Sequence, residues 1–182
     1  MTKNEEAGWL RAAREWDMEA LAAIYDKYSP RLYRYAMRLL GIQDLAEECV
    51  AETFARFLQA LRNGGGPKEH LQAYLYRIAH NWITDYYRRR PPPHVDLADV
   101  AHMLTDGQVA ARDRILAQED QARVRAALRM LTPDQRQVIV LRFLEGWSLN
   151  DVAEAMQKPV GAVKALQHRA LRALRRILEE ES

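Results

Sequence analysis

The chain has 182 residues, 48% of them hydrophobic and 29% charged, with a formal net charge of +2. That is room for one large or two small domains, and the near balance of charge excludes a globally basic nucleic-acid binder, so any such surface must be local. The lone cysteine, Cys49, excludes an intrachain disulfide and a cysteine-based metal cluster, and no apolar run approaches the ~18 residues of a membrane span.

The first residues, MTKNEEAGWLRAAREWD, are polar and lack the apolar segment of a signal peptide. A soluble cytoplasmic protein without membrane insertion is therefore expected. Helical periodicity runs through nearly the whole chain, and no convincing strand alternation appears. The expected fold is all-α, two small helical domains joined by a flexible linker.

The first informative helix is Asp44 to Leu61. Val50, Ala46, Cys49, Thr53, Phe54, Phe57, Leu58, Ala60 and Leu61 share one side of it. Asp44, Glu48 and Glu52 line the other, separated by small Ala51 and Ala55. Against Arg56 alone, Asp44, Glu47, Glu48 and Glu52 leave the stretch to Leu58 at −3. An acidic ridge of this kind suits a basic partner helix, or is an ordinary solvated face. Cys49, on the apolar arc, reads as an inert core residue.

Asn63 to Pro67, with its glycine run, reads as a helix–helix connection. It lacks the Gly-Lys-Ser/Thr and the preceding strand of a phosphate loop. From Leu71 to Arg90, Leu71, Leu75, Ile78, Ala79, Trp82 and Tyr86 form an expected core stripe. Tyr74, Tyr76, Arg77, His80, Asn81, Thr84, Tyr87 and Arg88 fall on the rest of the helix. Basic groups interleaved with aromatic rings suit single-stranded or melting DNA, because bases stack on rings while arginines hold phosphates. The terminal Arg88, Arg89 and Arg90 also complement a helix dipole. His80 has no second ligand at metal-binding spacing, so no metal and no other cofactor is expected.

Pro91-Pro92-Pro93 cannot continue a helix. The weakly acidic stretch to Gly107 reads as part of a linker over residues 91–112, which places domains at 1–90 and 113–182. In the second domain, Thr132-Pro133-Asp134 is a strong helix start. Val138, Leu141, Phe143 and Leu144 are expected to pack beneath the last two helices, and Gly146 to break the chain before them.

Those two helices lie in Ser148–Arg176. Ser148 is a plausible N-cap with Asp151 in a capping-box-like position, and Pro159 suits the first turn of the second helix. On that helix Val163, Leu166, Ala170, Leu171, Leu174, Ile177 and Leu178 share an apolar side. Lys164, His168, Arg169, Arg172, Arg175 and Arg176 occupy the opposite arc with no carboxylate among them, and Val160 to Arg176 carries +5. A capped helix, a turn and a basic second helix is how many proteins enter a DNA major groove.

Taken together, these motifs resemble a sigma-70 family sigma factor of the extracytoplasmic-function type. AEECVAETFARF (Ala46–Phe57) resembles region 2.2, which docks on the polymerase β′ clamp helices. AYLYRIAHNWITDYYRRR (Ala73–Arg90) resembles regions 2.3 and 2.4, which capture the melted minus-ten element. LTPDQRQVIVLRFLEGWSLNDVAEAM resembles region 4.1 and the start of 4.2, and PVGAVKALQHRALRALRR the minus-thirty-five recognition helix.

The resemblance implies core RNA polymerase (β′ and β subunits) and promoter DNA as partners, an anti-sigma protein as a further candidate, and no catalysis. It assigns polymerase docking to Asp44, Glu47, Glu48, Val50, Glu52, Thr53 and Phe54. The minus-ten residues would be Tyr74, Arg77, Asn81, Trp82, Asp85, Tyr86, Arg88 and Arg89. At minus-thirty-five it implies Lys164, Ala165, His168, Arg169, Arg172 and Arg176. It also implies a linker threading toward the polymerase active-site channel; its Asp96, Asp99 and Asp106 read first as a solvated spacer, with mimicry of nucleic-acid charge as the alternative.

Two departures stand out. Tyr74 replaces a frequent Trp, and Leu166-Gln167 replaces an Arg-Leu pair, which removes any ground for transferring a base preference. A stand-alone helix–turn–helix regulator is the main alternative. A helical adaptor or inhibitor that binds only protein would leave the basic arc unexplained.

Overall fold

The computed structural model describes residues 3–90 and 109–180, with side chains from 117 onward in the second stretch. The Pro91-led segment with Asp96, Asp99 and Asp106 lies outside the described residues. All regular structure among them is helical: α1 (Lys3–Arg14), α2 (Met18–Leu40), α3 (Gln43–Arg62), α4 (Leu71–Arg89), α5 (Val109–Met130), α6 (Pro133–Ile139), a π-turn (Val140–Leu144), α7 (Leu149–Met156) and α8 (Val160–Glu180).

The first four helices share one core, built on Leu10, Ile24, Leu32, Phe57, Leu71, Leu75 and Ile83. Local chemistry sets their ends. Asp17 caps α2 by accepting from the Ala20 N–H at 2.8 Å. Gly41 ends it at φ 69°, donating to the Met37 carbonyl. A Cβ at Gly41 would also lie 2.6 Å from Arg125 Nε, so the residue lets α5 approach closely. The glycine-rich connection is pinned where Arg14 donates to the Pro67 carbonyl at 3.1 Å. Tyr28 donates to Glu6 at 2.6 Å and ties α1 to α2.

The second half packs α6, α7 and α8 around Leu128, Val138, Leu141, Val152, Val163 and Ala170. α5 begins at Val109, inside the stretch expected to be linker. The Thr132 start is a full capping box: its hydroxyl accepts from the Gln135 N–H and the Gln135 side chain accepts from the Thr132 N–H, both at 3.2 Å. At α7, Ser148 Oγ accepts from the Asp151 N–H at 3.1 Å and donates to the Asp151 carboxylate at 2.8 Å.

Two packing expectations need correction. Phe143 and Leu144 do not lie beneath the final helices; they are 50% and 37% exposed. The π-turn closes with Glu145 N–H on the Val140 carbonyl, five residues back, and this wider turn rotates both side chains outward. On α4, Tyr76, His80 and Thr84 are buried, while Ile78, Trp82 and Tyr86 are only half-buried. A single-stripe wheel assumes one packed face, but α4 packs on its own domain and on α7 of the other half.

The two halves are in fact closed on each other. Tyr76 meets Trp147 edge-on at 4.8 Å. Arg38 pairs with Glu145 at 2.5 Å. The Tyr87 ring lies 4.6 Å from the Arg129 guanidinium and 4.5 Å from that of Arg136, while its hydroxyl is tied within its own half, donating to the Leu39 carbonyl.

Candidate nucleic-acid interface

Three helices carry the expected site residues, and the structure presents them differently. α8 is the simplest. Val163, Leu166 and Ala170 are buried, Leu174, Ile177 and Leu178 are half-buried, and Leu171 is exposed. This seats the helix so that Lys164, Ala165, His168, Arg169, Arg172, Arg175 and Arg176 all face solvent. Among the described residues, Arg175 meets Glu179 at 2.7 Å, one turn beyond the arc, and no carboxylate pairs with Lys164, Arg169 or Arg172. Gln157, at φ 53°, ends α7 in the left-handed region, and Pro159 then accepts the first helical bond of α8 from Val163. An unopposed cationic arc on a braced helix attracts phosphate and leaves its side chains free to reach base edges.

α4 carries the aromatic platform. Trp82 and Tyr86 stack at 5.8 Å with 7° between their planes, one turn apart on a helix held from beneath by Ala79 and Ile83. The Arg90 guanidinium lies over Tyr86 at 5.5 Å. Asn81, Arg88 and Arg89 are exposed, Asp85 is half-exposed, and Arg88 lies 3.7 Å from it. Tyr74 is held edge-on to Phe57 at 6.2 Å. Arg77 is set apart from this group. Its Nε donates to the Ala155 carbonyl at 3.0 Å and its Nη2 to the Glu154 carbonyl at 3.1 Å, both at the end of α7. Partial burial there pushes its pKa down.

On α3, Asp44, Glu47 and Glu48 are exposed, and Glu52 holds Arg56 at 2.8 Å. Val50, Thr53 and Phe54 point inward. Thr53 donates to the Cys49 carbonyl at 2.7 Å, and Phe54 meets the half-exposed Tyr25 at 4.8 Å. They can brace the acidic ridge from behind but do not reach its surface. Tyr25, packed on Phe54 yet half-exposed, comes from α2, so the periodicity of α3 could not reveal it. Cys49 is fully buried, which pushes its thiol up to about 12, consistent with an inert core position.

The buried groups between the halves complete the picture. His80 has the Tyr35 hydroxyl 3.0 Å from Nδ1 and the Thr84 hydroxyl 3.5 Å from Nε2. Burial, with Arg136 nearby, pushes its pKa down to about 4, opposed by the Pro133 carbonyl and Asp134. Arg136 is only 3% exposed; burial pushes its pKa down, and its guanidinium lies over the Tyr87 ring at 4.5 Å, a cation–π contact that offsets part of the cost of burying the charge. Sequence reasoning assigned no role to Arg38, Arg136 or Trp147, since their partners lie in the other half of the chain.

Two family models match the chain. Residues 24–91 match the family described as Sigma-70 region 2, and residues 127–176 that described as Sigma-70, region 4. The chain is 31% identical over 176 residues to the ECF RNA polymerase sigma factor BldN of Streptomyces coelicolor, covering 95% of this chain and 66% of that protein. It is 33% identical over 165 residues to the ECF RNA polymerase sigma factor SigL of Mycobacterium tuberculosis, covering 88% and 89%. The structure of CnrH in complex with the cytosolic domain of CnrY shares the fold, with a TM-score of 0.71 at 23% identity over 97% of this chain and 99% of that one.

Proposed function

The chain belongs to the sigma-70 family, in its extracytoplasmic-function class, and on that premise we propose how its residues divide the work of directing core RNA polymerase to promoters. The observation that carries the reading is the pairing, in one chain, of a region 2 match bearing an aromatic-basic helix with a region 4 match bearing an unopposed cationic arc. A stand-alone helix–turn–helix regulator would leave the region 2 half without a task.

Residues 1–90 form the polymerase-docking and minus-ten half, 113–182 the minus-thirty-five half, and 91–112 the connection. Asp44, Glu47, Glu48 and Glu52 present the docking ridge to the β′ subunit, braced by Val50, Thr53 and Phe54. Tyr74, Trp82 and Tyr86 offer rings to unstacked bases, at about 1–3 kcal/mol for each base stacked. Arg77, Arg88 and Arg89 hold phosphates there, while Asn81 and Asp85 read base edges. On α8, Lys164, Ala165, His168 and Arg169 face the groove floor, and Arg172 and Arg176 its phosphate walls.

Each reader is small and weak alone; tethered on one polymerase they gain from effective concentration. The protein performs no chemistry of its own and works in the cytoplasm, where polymerase and chromosome meet. An anti-sigma protein would compete for the same faces.

The test mixes the purified chain with core RNA polymerase and a promoter library and sequences the run-off transcripts. New, discrete start sites that require both proteins are expected. Failure to bind core, or transcripts identical to those of core alone, would sink the reading.

A further inference from the structure

The cationic arc of α8 does not run to the end of the helix. With Val163 set at 0° on the helical wheel, Lys164, Arg175, His168 and Arg172 lie at about 100°, 120°, 140° and 180°, and Glu179 at about 160°. A carboxylate therefore stands in the middle of the arc, one turn beyond Arg175. Its side chain is 63% exposed, and that of Arg175, 2.7 Å away, is 80% exposed. Glu180 follows, also exposed.

Helix chemistry gives no reason for carboxylates there. The carbonyl end of a helix favours cations. Each of α1 to α6 carries an arginine in its last turn, and α8 carries none. An ion pair four residues apart is stronger with the acid on the N-terminal side, and Arg175 and Glu179 stand in the opposite order. Both are too exposed for their pair to hold the fold.

The position makes sense against a duplex. An arginine on a phosphate strengthens binding to every sequence alike, whereas a recognition helix reads bases from its N-terminal turns. The major groove is about 12 Å wide and winds around the duplex. A straight helix, about 22 Å long from Lys164 to Glu179, leaves its floor before the last turn. Glu179 thus stands where α8 would next gain phosphate and not bases.

We propose that Glu179, with Glu180 behind it, is an electrostatic stop on the recognition helix: it occupies Arg175 and repels the phosphate track, lowering sequence-independent affinity and so raising selectivity. The inference rests on the reading of α8 as the duplex reader. The stop leaves Lys164, His168 and Arg169 free for base edges, so the ratio of specific to non-specific binding rises. It also leaves the chain dependent on its second reader for tight promoter binding.

The test titrates the full chain against a short labelled duplex of random sequence, by fluorescence anisotropy across a salt series. Glu179→Gln keeps the side-chain shape and removes the charge. It should raise affinity about threefold at low salt and steepen the log–log salt dependence by about 0.9, the mark of one further phosphate contact. Arg175→Ala should change binding by the wild-type chain less than about 1.5-fold, yet remove most of the gain in the Glu179→Gln background. Unchanged affinity and slope in Glu179→Gln, or an equal loss from Arg175→Ala in both backgrounds, would overturn the stop. The urea midpoint of Glu179→Gln should match or exceed that of the wild type; a lower one would make the pair a structural bond instead.

Selectivity is read with core polymerase and the promoter library. The Glu179→Gln chain should start transcripts at more sites, with the preferred ones less dominant, and an unchanged distribution would refute the gain in selectivity. Absence of core-dependent transcript from the wild-type chain would count against the sigma reading, while the duplex titration still decides the stop.

Discussion

Acidification from pH 7 to pH 5 should destabilise the closed chain by about 2 kcal/mol through one side chain, His80. The ring is 3% exposed, with the Tyr35 and Thr84 hydroxyls at its two nitrogens and the buried Arg136 guanidinium nearby. Burial first, and Arg136 second, hold its pKa at about 4, against an ordinary 6.5. Between those values the unfolded chain binds a proton that the folded chain refuses, so stability falls as pH falls through this window and is level above it. The cost is about 0.2 kcal/mol at pH 7 and about 2 kcal/mol at pH 5. Urea unfolding at both pH values, on the wild type and on His80→Gln, isolates it. Glutamine can still accept from the Tyr35 hydroxyl but does not titrate, so the carboxylates and the other histidines cancel in the comparison. An equal loss in both proteins, or a ring-proton NMR titration placing His80 near 6.5, would refute the burial argument.

Removing the α6 capping box with Thr132→Ala should cost about 1 kcal/mol of stability, read from the urea midpoint at pH 7; an unchanged midpoint would mean the box contributes nothing. Arg169→Ala should weaken binding to a minus-thirty-five duplex by roughly 1–3 kcal/mol and relax preference at one position if it makes a bidentate base contact. An equal loss on every sequence, measured by fluorescence anisotropy across single-base variants, would make it a phosphate contact instead. Reversing the docking ridge with Glu48→Lys should cut affinity for core polymerase at least about tenfold by placing like charge against a basic partner, with duplex binding unaffected. Equal affinity in a pull-down titration would remove Glu48 from the interface.

The helix types and ends were legible from local chemistry. The Thr132 and Ser148 caps, the Gly146 break and the α8 arc are all short-range features, in which a side chain bonds the backbone three residues on or periodicity alone sets the face. The α3 stripe was legible for the same reason, since one face packs and the other does not. The α4 stripe was not: Tyr76, His80 and Thr84 look like surface positions on a wheel and are buried, Tyr76 and His80 against Tyr35 of α2 and, from the other half, against Trp147 and the start of α6. Phe143 and Leu144 failed differently, through a π-turn that shifts the angular register by a residue.

By itself the sequence determined an all-helical chain, the opposite charges of α3 and α8, and a family membership carried by motif order. Those properties reside in residue type and spacing, which persist whatever the halves do. Only the tertiary structure decided that Arg77 caps α7 instead of lying free, that Arg136 is buried between Tyr87 and His80, and that the two readers are held within one compact body. Each depends on residues far apart in the chain meeting across a seam, and no local pattern encodes a contact whose partner lies in the other half.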